Sequence, residues 1–132
     1  MLFYYGLIVY VILITITFSN IESKNKAIVV YLTMPVLWFV SAFRNYSIGN
    51  DTLEYLRVFD LVKNTDSIFL FTDRYEVGYL VLNKMVSFFT SNPVFIIVVS
   101  STIIYIGFSR FIIKFSKNPG FSVLLFILMG YF

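Results

Sequence analysis

The stretch from residue 44 to residue 76 contains most of the acidic side chains in this sequence. The chain has no cysteine and no histidine, so a proton could be transferred only by a carboxylate, a lysine or a tyrosine. All but one of the seven Asp and Glu residues lie in this stretch, which is also the only long polar one. We therefore expect any chemistry to be located here.

Two short motifs mark the ends of this stretch. The first has the spacing Arg-x4-Gly-x-Asp-x3-Tyr and consists of Arg44, Gly49, Asp51 and Tyr55. The second opens the next apolar segment and reads Arg74-Tyr75-Glu76-Val77-Gly78-Tyr79. Their order and spacing are the most informative feature of the sequence.

A helix is predicted directly after the first motif. Asp51 could cap its start, and Glu54, three residues later, could complete a capping box. Up to about Lys63, the helical period puts two sets of residues on different faces: the apolar Tyr55, Val58, Phe59 and Val62, and the charged Glu54, Arg57 and Asp60. Such a helix is expected to lie on a membrane surface or over a helical bundle.

The composition predicts that lipid surrounds the rest of the chain. Of 132 residues, 59% are hydrophobic and only 13% are charged, which is more apolar surface than a soluble domain of this length can bury. Apolar runs predict transmembrane helices at 2–18, 27–43 and 93–113, the start of another at 120–132, and an interfacial or re-entrant helix at 78–89. The predicted fold class is an all-α, polytopic transmembrane helical bundle with an amphipathic surface helix in the polar loop 44–76.

Basic residues indicate the orientation in the membrane. Arg110, Lys114 and Lys117 form the most basic short loop, which the positive-inside rule places in the cytoplasm. If the helix at 78–89 does not cross, the polar loop 44–76 is then external; if it crosses, that loop is cytoplasmic. We favour the external loop, because this arrangement keeps both short basic loops inside. The dispersed basic residues give no support for nucleic-acid binding.

The last apolar run stops after about 20 Å of helix, which would leave the terminal carboxylate within the membrane. This ending predicts that the chain is the N-terminal piece of a longer protein, truncated in its last span.

The two motifs resemble those of the EpsG/Wzy family of polysaccharide repeat-unit polymerases. Members of this family carry an Arg, then Gly-x-Asp-Thr-x-x-Tyr, then a Glu-x-Gly-Tyr-like element before an apolar helix. The resemblance covers roughly residues 44–132, with one departure at Val77, where many relatives have proline. It implies an enzyme of the bacterial cytoplasmic membrane that joins undecaprenyl-diphosphate-linked oligosaccharides, without a cofactor and in possible association with other polysaccharide-assembly membrane proteins.

Such a reaction needs a base for a sugar hydroxyl and stabilisation of a departing diphosphate. Asp51 could be the base, although a helix N-cap explains it equally well. Arg44 and Arg74 could bind the diphosphate through paired donors, or they could only place their charges at the membrane interface.

The remaining candidates are substrate-binding residues with simpler alternatives. Gly49 could let the backbone approach a phosphate, or it could only form a turn. Glu76 could orient Arg74 or favour the start of a helix. Tyr55 and Tyr79 could stack on sugar rings or act as interfacial aromatics. No metal site is indicated. An inactive gene remnant and a small non-catalytic membrane assembly protein are the alternative functions.

Overall fold

The computed structural model describes residues 2–18, 27–44 and 51–129. Within these ranges the chain is all-α. Six α-helices cover Leu2–Thr17 (α1), Ala27–Ala42 (α2), Thr52–Lys63 (α3), Val77–Phe89 (α4), Val94–Phe115 (α5) and Pro119–Leu128 (α6). A short 3-10 helix, Ile68–Phe71, lies between α3 and α4. The all-α prediction is therefore confirmed.

One described helix, α5, is long and apolar enough to cross a membrane. Its 22 residues have a mean hydropathy of 2.0 in the most apolar window, and they extend for about 33 Å against a hydrocarbon thickness of about 30 Å. The α1 and α2 helices have 16 residues each and extend for about 24 Å. They occupy the segments in which spans are predicted, and their crossing of the bilayer stays a prediction.

The chain forms two compact units, each described here by itself. The first unit comprises residues 1–41 and 101–132, and the second comprises residues 42–100. The core of the first unit is a continuous apolar cluster from α1, α2, α5 and α6, in which Val11, Val30, Leu37 and Val123 are fully buried. Burial of these aliphatic side chains against one another holds the four helical segments together.

Polar side chains add specific contacts between the helices of the first unit. The Trp38 indole donates to Thr102 Oγ1 at 3.0 Å, and the Ser41 and Ser101 hydroxyls lie 3.4 Å apart. The Tyr10 hydroxyl donates to the Leu32 carbonyl at 3.0 Å. In apolar surroundings these groups have few alternative partners, so such bonds favour one packing arrangement of the helices.

The start of α6 is capped by side chains. Asn118 Oδ1 accepts from the Phe121 amide at 3.3 Å, and Pro119 occupies the first turn, where its missing N–H is not needed. The helix therefore begins one residue before the predicted start at Gly120.

Gly120 permits the close approach of α6 to α1. A Cβ at this position would overlap the Thr15 side chain, including Thr15 Cβ at 2.9 Å, which can move only if the helix moves. We predict that Gly120→Ala destabilises the chain by about 1–3 kcal/mol through overpacking. Thermal unfolding in detergent, followed by circular dichroism, measures this change. Gly107→Ala is the matched control, because a Cβ there meets no described atom within 4 Å; equal unfolding temperatures for the two variants would contradict the prediction.

The second unit is built on α3 and α4. Val58 and Val62 of α3 are buried with Leu80 of α4 in one apolar cluster. Phe59 of α3 belongs to a second cluster, with Val86 of α4 and with Ile96 and Ile97 from the start of α5. Arg57 and Asp60 are exposed. The predicted apolar and charged faces of this helix are confirmed, except that Tyr55 keeps 39% of its surface exposed.

Lys84 links the end of α3 to α4. Its ammonium group donates to the Thr65 carbonyl at 2.7 Å and to the Val62 carbonyl at 3.2 Å. The last carbonyls of a helix lack intrahelical donors and carry partial negative charge, so a lysine stabilises this end. The positive charge of Lys84, which is costly within an apolar segment, is thereby paired with backbone carbonyl oxygens.

Candidate functional site

Asp51 lies at the start of α3 but does not cap it. Its backbone is already helical, with φ −94° and ψ −8°, and its side chain makes no capping hydrogen bond. A capping side chain normally extends from a residue with β-region dihedral angles, so this conformation removes the geometry that the cap requires. The predicted capping box is therefore wrong. The carboxylate of Asp51 is exposed and makes no hydrogen bond or ion pair with any residue in the described ranges.

Glu54 connects the two sequence motifs. Its Oε1 accepts a hydrogen bond of 2.6 Å from the Tyr75 hydroxyl, which comes from a residue 21 positions later in the chain. Asp51 lies three residues before Glu54 and four before Tyr55, so along the helix it is a neighbour of both, although Glu54 and Tyr55 themselves point to different faces. The bond therefore places the second motif beside the first turn of α3.

Two guanidinium groups share the carboxylate of Glu54. Arg57 Nη1 lies 3.2 Å from Oε2, and Arg74 Nη2 lies 3.5 Å from Oε1. Arg74 also lies over the Tyr75 ring, 5.5 Å from its centroid. The acid that orients Arg74 is thus Glu54, and not the neighbouring Glu76, which is exposed and occupies the N-cap position of α4 without a capping bond.

The arrangement leaves donors available for an anion. The Arg57 and Arg74 side chains are 71% and 76% exposed, and each guanidinium has five N–H groups of which Glu54 uses few. Glu54 can neutralise only one of these two guanidinium charges, within a stretch (44–76) that has four basic and six acidic residues. A phosphate group approaching from solvent could therefore bind both arginines at once.

The hydrogen bond also sets the protonation states. Donation from Tyr75, aided by the nearby arginine charges and opposed by partial desolvation, lowers the pKa of the Glu54 carboxyl. The same bond raises the pKa of the Tyr75 hydroxyl. Glu54 is therefore a carboxylate and Tyr75 a protonated donor at neutral pH, which suits them to positioning and not to proton transfer.

A pair of tyrosines extends this cluster. The rings of Tyr55 and Tyr79 meet edge to face, with centroids 5.8 Å apart. The Tyr79 hydroxyl is shielded from solvent, whereas Tyr55 is more exposed. A sugar could therefore reach the Tyr55 ring, which is held by its edge-to-face contact with Tyr79.

Arg44 follows the end of α2 and is half-buried. Its Nε is closed off from solvent, and none of the described residues accepts a hydrogen bond from it. A shielded guanidinium nitrogen normally has a hydrogen-bond acceptor, which could be an anion or a water molecule. Gly49 lies outside the described residues.

The sequence patterns assign no separate role in the site to Glu54 or Tyr75. These patterns place Glu54 in the capping box and on the charged face of α3, and they place Tyr75 in the second motif without a role of its own. Their presence inside the two motifs was the available signal. The pairing of Arg57 with Glu54, by contrast, follows the predicted helical spacing.

Comparison with protein families gives one match, to the model described as the EpsG family, over residues 27–132. Comparison with curated proteins and with solved structures gives no match. The matched region includes both motifs, all residues of the cluster around Glu54, and five of the six helices. Since it spans most of the chain and agrees with the resemblance of the motifs, the protein belongs to the EpsG family.

Proposed function

We propose that the protein is a polysaccharide polymerase, or the N-terminal part of one, that joins repeat units carried on undecaprenyl diphosphate. Membership of the EpsG family supports a polymerase-like role in polysaccharide biosynthesis. The observation that supports the finer proposal is the Tyr75–Glu54 hydrogen bond, which brings Arg74 of the second motif beside Glu54 and Arg57 of α3.

The chemistry requires a new glycosidic bond to form as the bond to the diphosphate breaks. A sugar hydroxyl of the acceptor attacks the anomeric carbon of the donor glycan, the hydroxyl proton passes to a base, and the lipid diphosphate leaves with the bonding electron pair. Asp51 is our proposed base, because it is an exposed acid three residues before Glu54 and makes no ion pair with another described residue.

The departing diphosphate needs positive charge that is already in place. Arg74 is held by Glu54 and by the Tyr75 ring, so little conformational freedom is lost when an anion binds. Arg44 supplies a second, more shielded guanidinium. Tyr55, supported by Tyr79, offers an aromatic surface on which an acceptor sugar can stack.

The second unit also exposes apolar side chains that suit a membrane surface. Phe69 and Leu70 of the 3-10 helix keep 73% and 71% of their surface exposed, and Phe88 and Phe89 at the end of α4 keep 76% and 89%. Lipid is the surrounding that makes such exposure favourable. We propose a multi-pass protein of the bacterial cytoplasmic membrane, with this unit at the outer face where lipid-linked glycans are joined.

Deleting the coding sequence tests this function. We expect the deletion strain to lose long glycan chains and to accumulate single repeat units on the lipid carrier, because the units are still made but are no longer joined. Gel separation of the lipid-linked glycans measures this change, and the reintroduced gene should restore the ladder. An unchanged ladder in the deletion strain would reject the polymerase and would favour an inactive remnant or a non-catalytic assembly protein.

A further inference from the structure

A groove in the first unit has not been used by the proposed reaction. It lies between α2 and α5, has a volume of about 380 Å³, and is lined by residues from 30–38 and 102–113. Its size falls within the range of sites that hold small organic molecules. Its walls are almost entirely apolar, with Met34, Trp38 and Ile106 among the lining side chains.

The two ends of the groove differ in their chemistry. Near one end the Trp38 indole bonds to Thr102, and the lining continues along α5 to Ser109, Arg110 and Ile113, opposite Val30 and Tyr31 from the first turns of α2. The two helices therefore run antiparallel along it. The hydrogen bond between the neutral Trp38 and Thr102 side chains lies near one end of the groove, and the exposed Arg110 lies at the other end.

Further positive charge favours an anion at the arginine end. Lys114 lies one turn after Arg110 on the same face of α5, and the start of α2, where a helix carries partial positive charge, is at this end as well. A guanidinium at the edge of a hydrocarbon region is costly unless it meets water, a headgroup or a paired anion. A long apolar slot with cations at one end has the shape and charge of an anionic lipid.

We propose that this groove binds one anionic diacyl phospholipid, with an acyl chain along α2 and α5 and its phosphate on Arg110. The positive-inside rule places the Arg110 end in the cytoplasm, where the inner leaflet is rich in acidic lipids. The site is separate from the cluster around Glu54, and it does not depend on the polymerase activity.

Trp38 is the only tryptophan of the chain and lines the groove, so its fluorescence reports the occupant directly. The full chain is reconstituted into phosphatidylcholine vesicles that contain a small fraction of phosphatidylglycerol or phosphatidylcholine with brominated acyl chains. We expect brominated phosphatidylglycerol to quench Trp38 with about fivefold higher apparent affinity, because both lipids carry a phosphate but only phosphatidylcholine adds a choline cation, which Arg110 and Lys114 repel. Equal quenching by the two lipids, or quenching by neither, would overturn the proposal.

Three further arms identify the lipid and the site. Arg110→Gln should remove the preference for phosphatidylglycerol, while Lys63→Gln, which loses the same charge in the second unit, should retain it. Ser109→Leu should reduce quenching by both lipids because it fills the groove, and unchanged circular dichroism will show that the variant is folded. Displacement of brominated phosphatidylglycerol by a much smaller fraction of undecaprenyl phosphate would show that the groove prefers an isoprenoid, which contradicts the proposal.

Discussion

Replacing Asp51 by asparagine is expected to lower the rate of glycan polymerisation by about 100- to 10,000-fold, the usual contribution of a general base. The side chain keeps its size and its ability to cap a helix, and it loses only the capacity to accept the proton. In the structure the Asp51 side chain makes no capping bond, so the substitution leaves α3 intact. Single repeat units should remain on the lipid carrier, and their ratio to long chains is the measurement.

Asp60→Asn is the matched control for this prediction. Asp60 is an exposed aspartate of the same helix, and its loss changes the net charge equally. A normal ladder in Asp51→Asn would reject the base, and an equal loss in Asp60→Asn would assign the effect to charge alone.

Arg44→Ala should also abolish long chains if its shielded guanidinium binds the diphosphate, whereas an unchanged ladder would reject this role.

Replacing Glu54 by glutamine is expected to lower polymerisation by about 10- to 100-fold, through the position of Arg74. Misplacement of a binding group by about an ångström has effects of this size. Without its charge, residue 54 no longer holds the Arg57 and Arg74 guanidinium groups. Because Glu54 is a positioning residue, the loss should be mainly a weaker apparent affinity for the lipid-linked repeat unit, which a titration of that substrate separates from a loss of maximal rate.

Tyr75→Phe removes the other half of the same contact and distinguishes positioning from general instability. If the two residues act through one hydrogen bond, the double variant Glu54→Leu with Tyr75→Phe should be no worse than Glu54→Leu alone, because leucine, unlike glutamine, cannot accept a hydrogen bond from the Tyr75 hydroxyl. Additive losses would show that the bond does not couple the motifs.

The free energy of unfolding should depend on pH because the pKa of Glu54 is lowered in the folded state. The difference in the free energy of unfolding between wild type and Glu54→Gln should be present above about pH 4.5, and it should disappear as the pH falls through the pKa of Glu54 in the folded protein.

Local patterns predicted the helices because their signals are local. The alternation of Val58, Phe59 and Val62 with charged residues is enough to define the buried face of α3, and the bounds of α3 and α4 follow within about two residues. The start of α6 was placed one residue late, since Asn118 and Pro119 form a cap that the apolar run itself does not show. Arg57 and Glu54, which the pattern places on the same charged face, are in contact.

Contacts between distant parts of the chain could not be predicted in this way. The capping box at Asp51 and Glu54 is a local pattern, but Glu54 instead binds Tyr75, 21 residues away, after α3 and α4 have packed together. The same is true of Trp38 and Thr102, which are 64 positions apart. Periodicity determines which face of a helix is buried, and tertiary packing determines which side chain a carboxylate on that helix meets.

The most direct test of the account is the side of the membrane on which the second unit lies. Ser67 is exposed between α3 and the 3-10 helix, its side chain makes no capping bond, and the chain has no natural cysteine, so Ser67→Cys carries a single reactive thiol. With the polar segment at the outer face, this thiol should react with an impermeant maleimide in intact cells, whereas the thiol of Lys117→Cys in the basic loop should react only after lysis. Labelling of Ser67→Cys only after lysis would place the candidate site in the cytoplasm and would contradict the account.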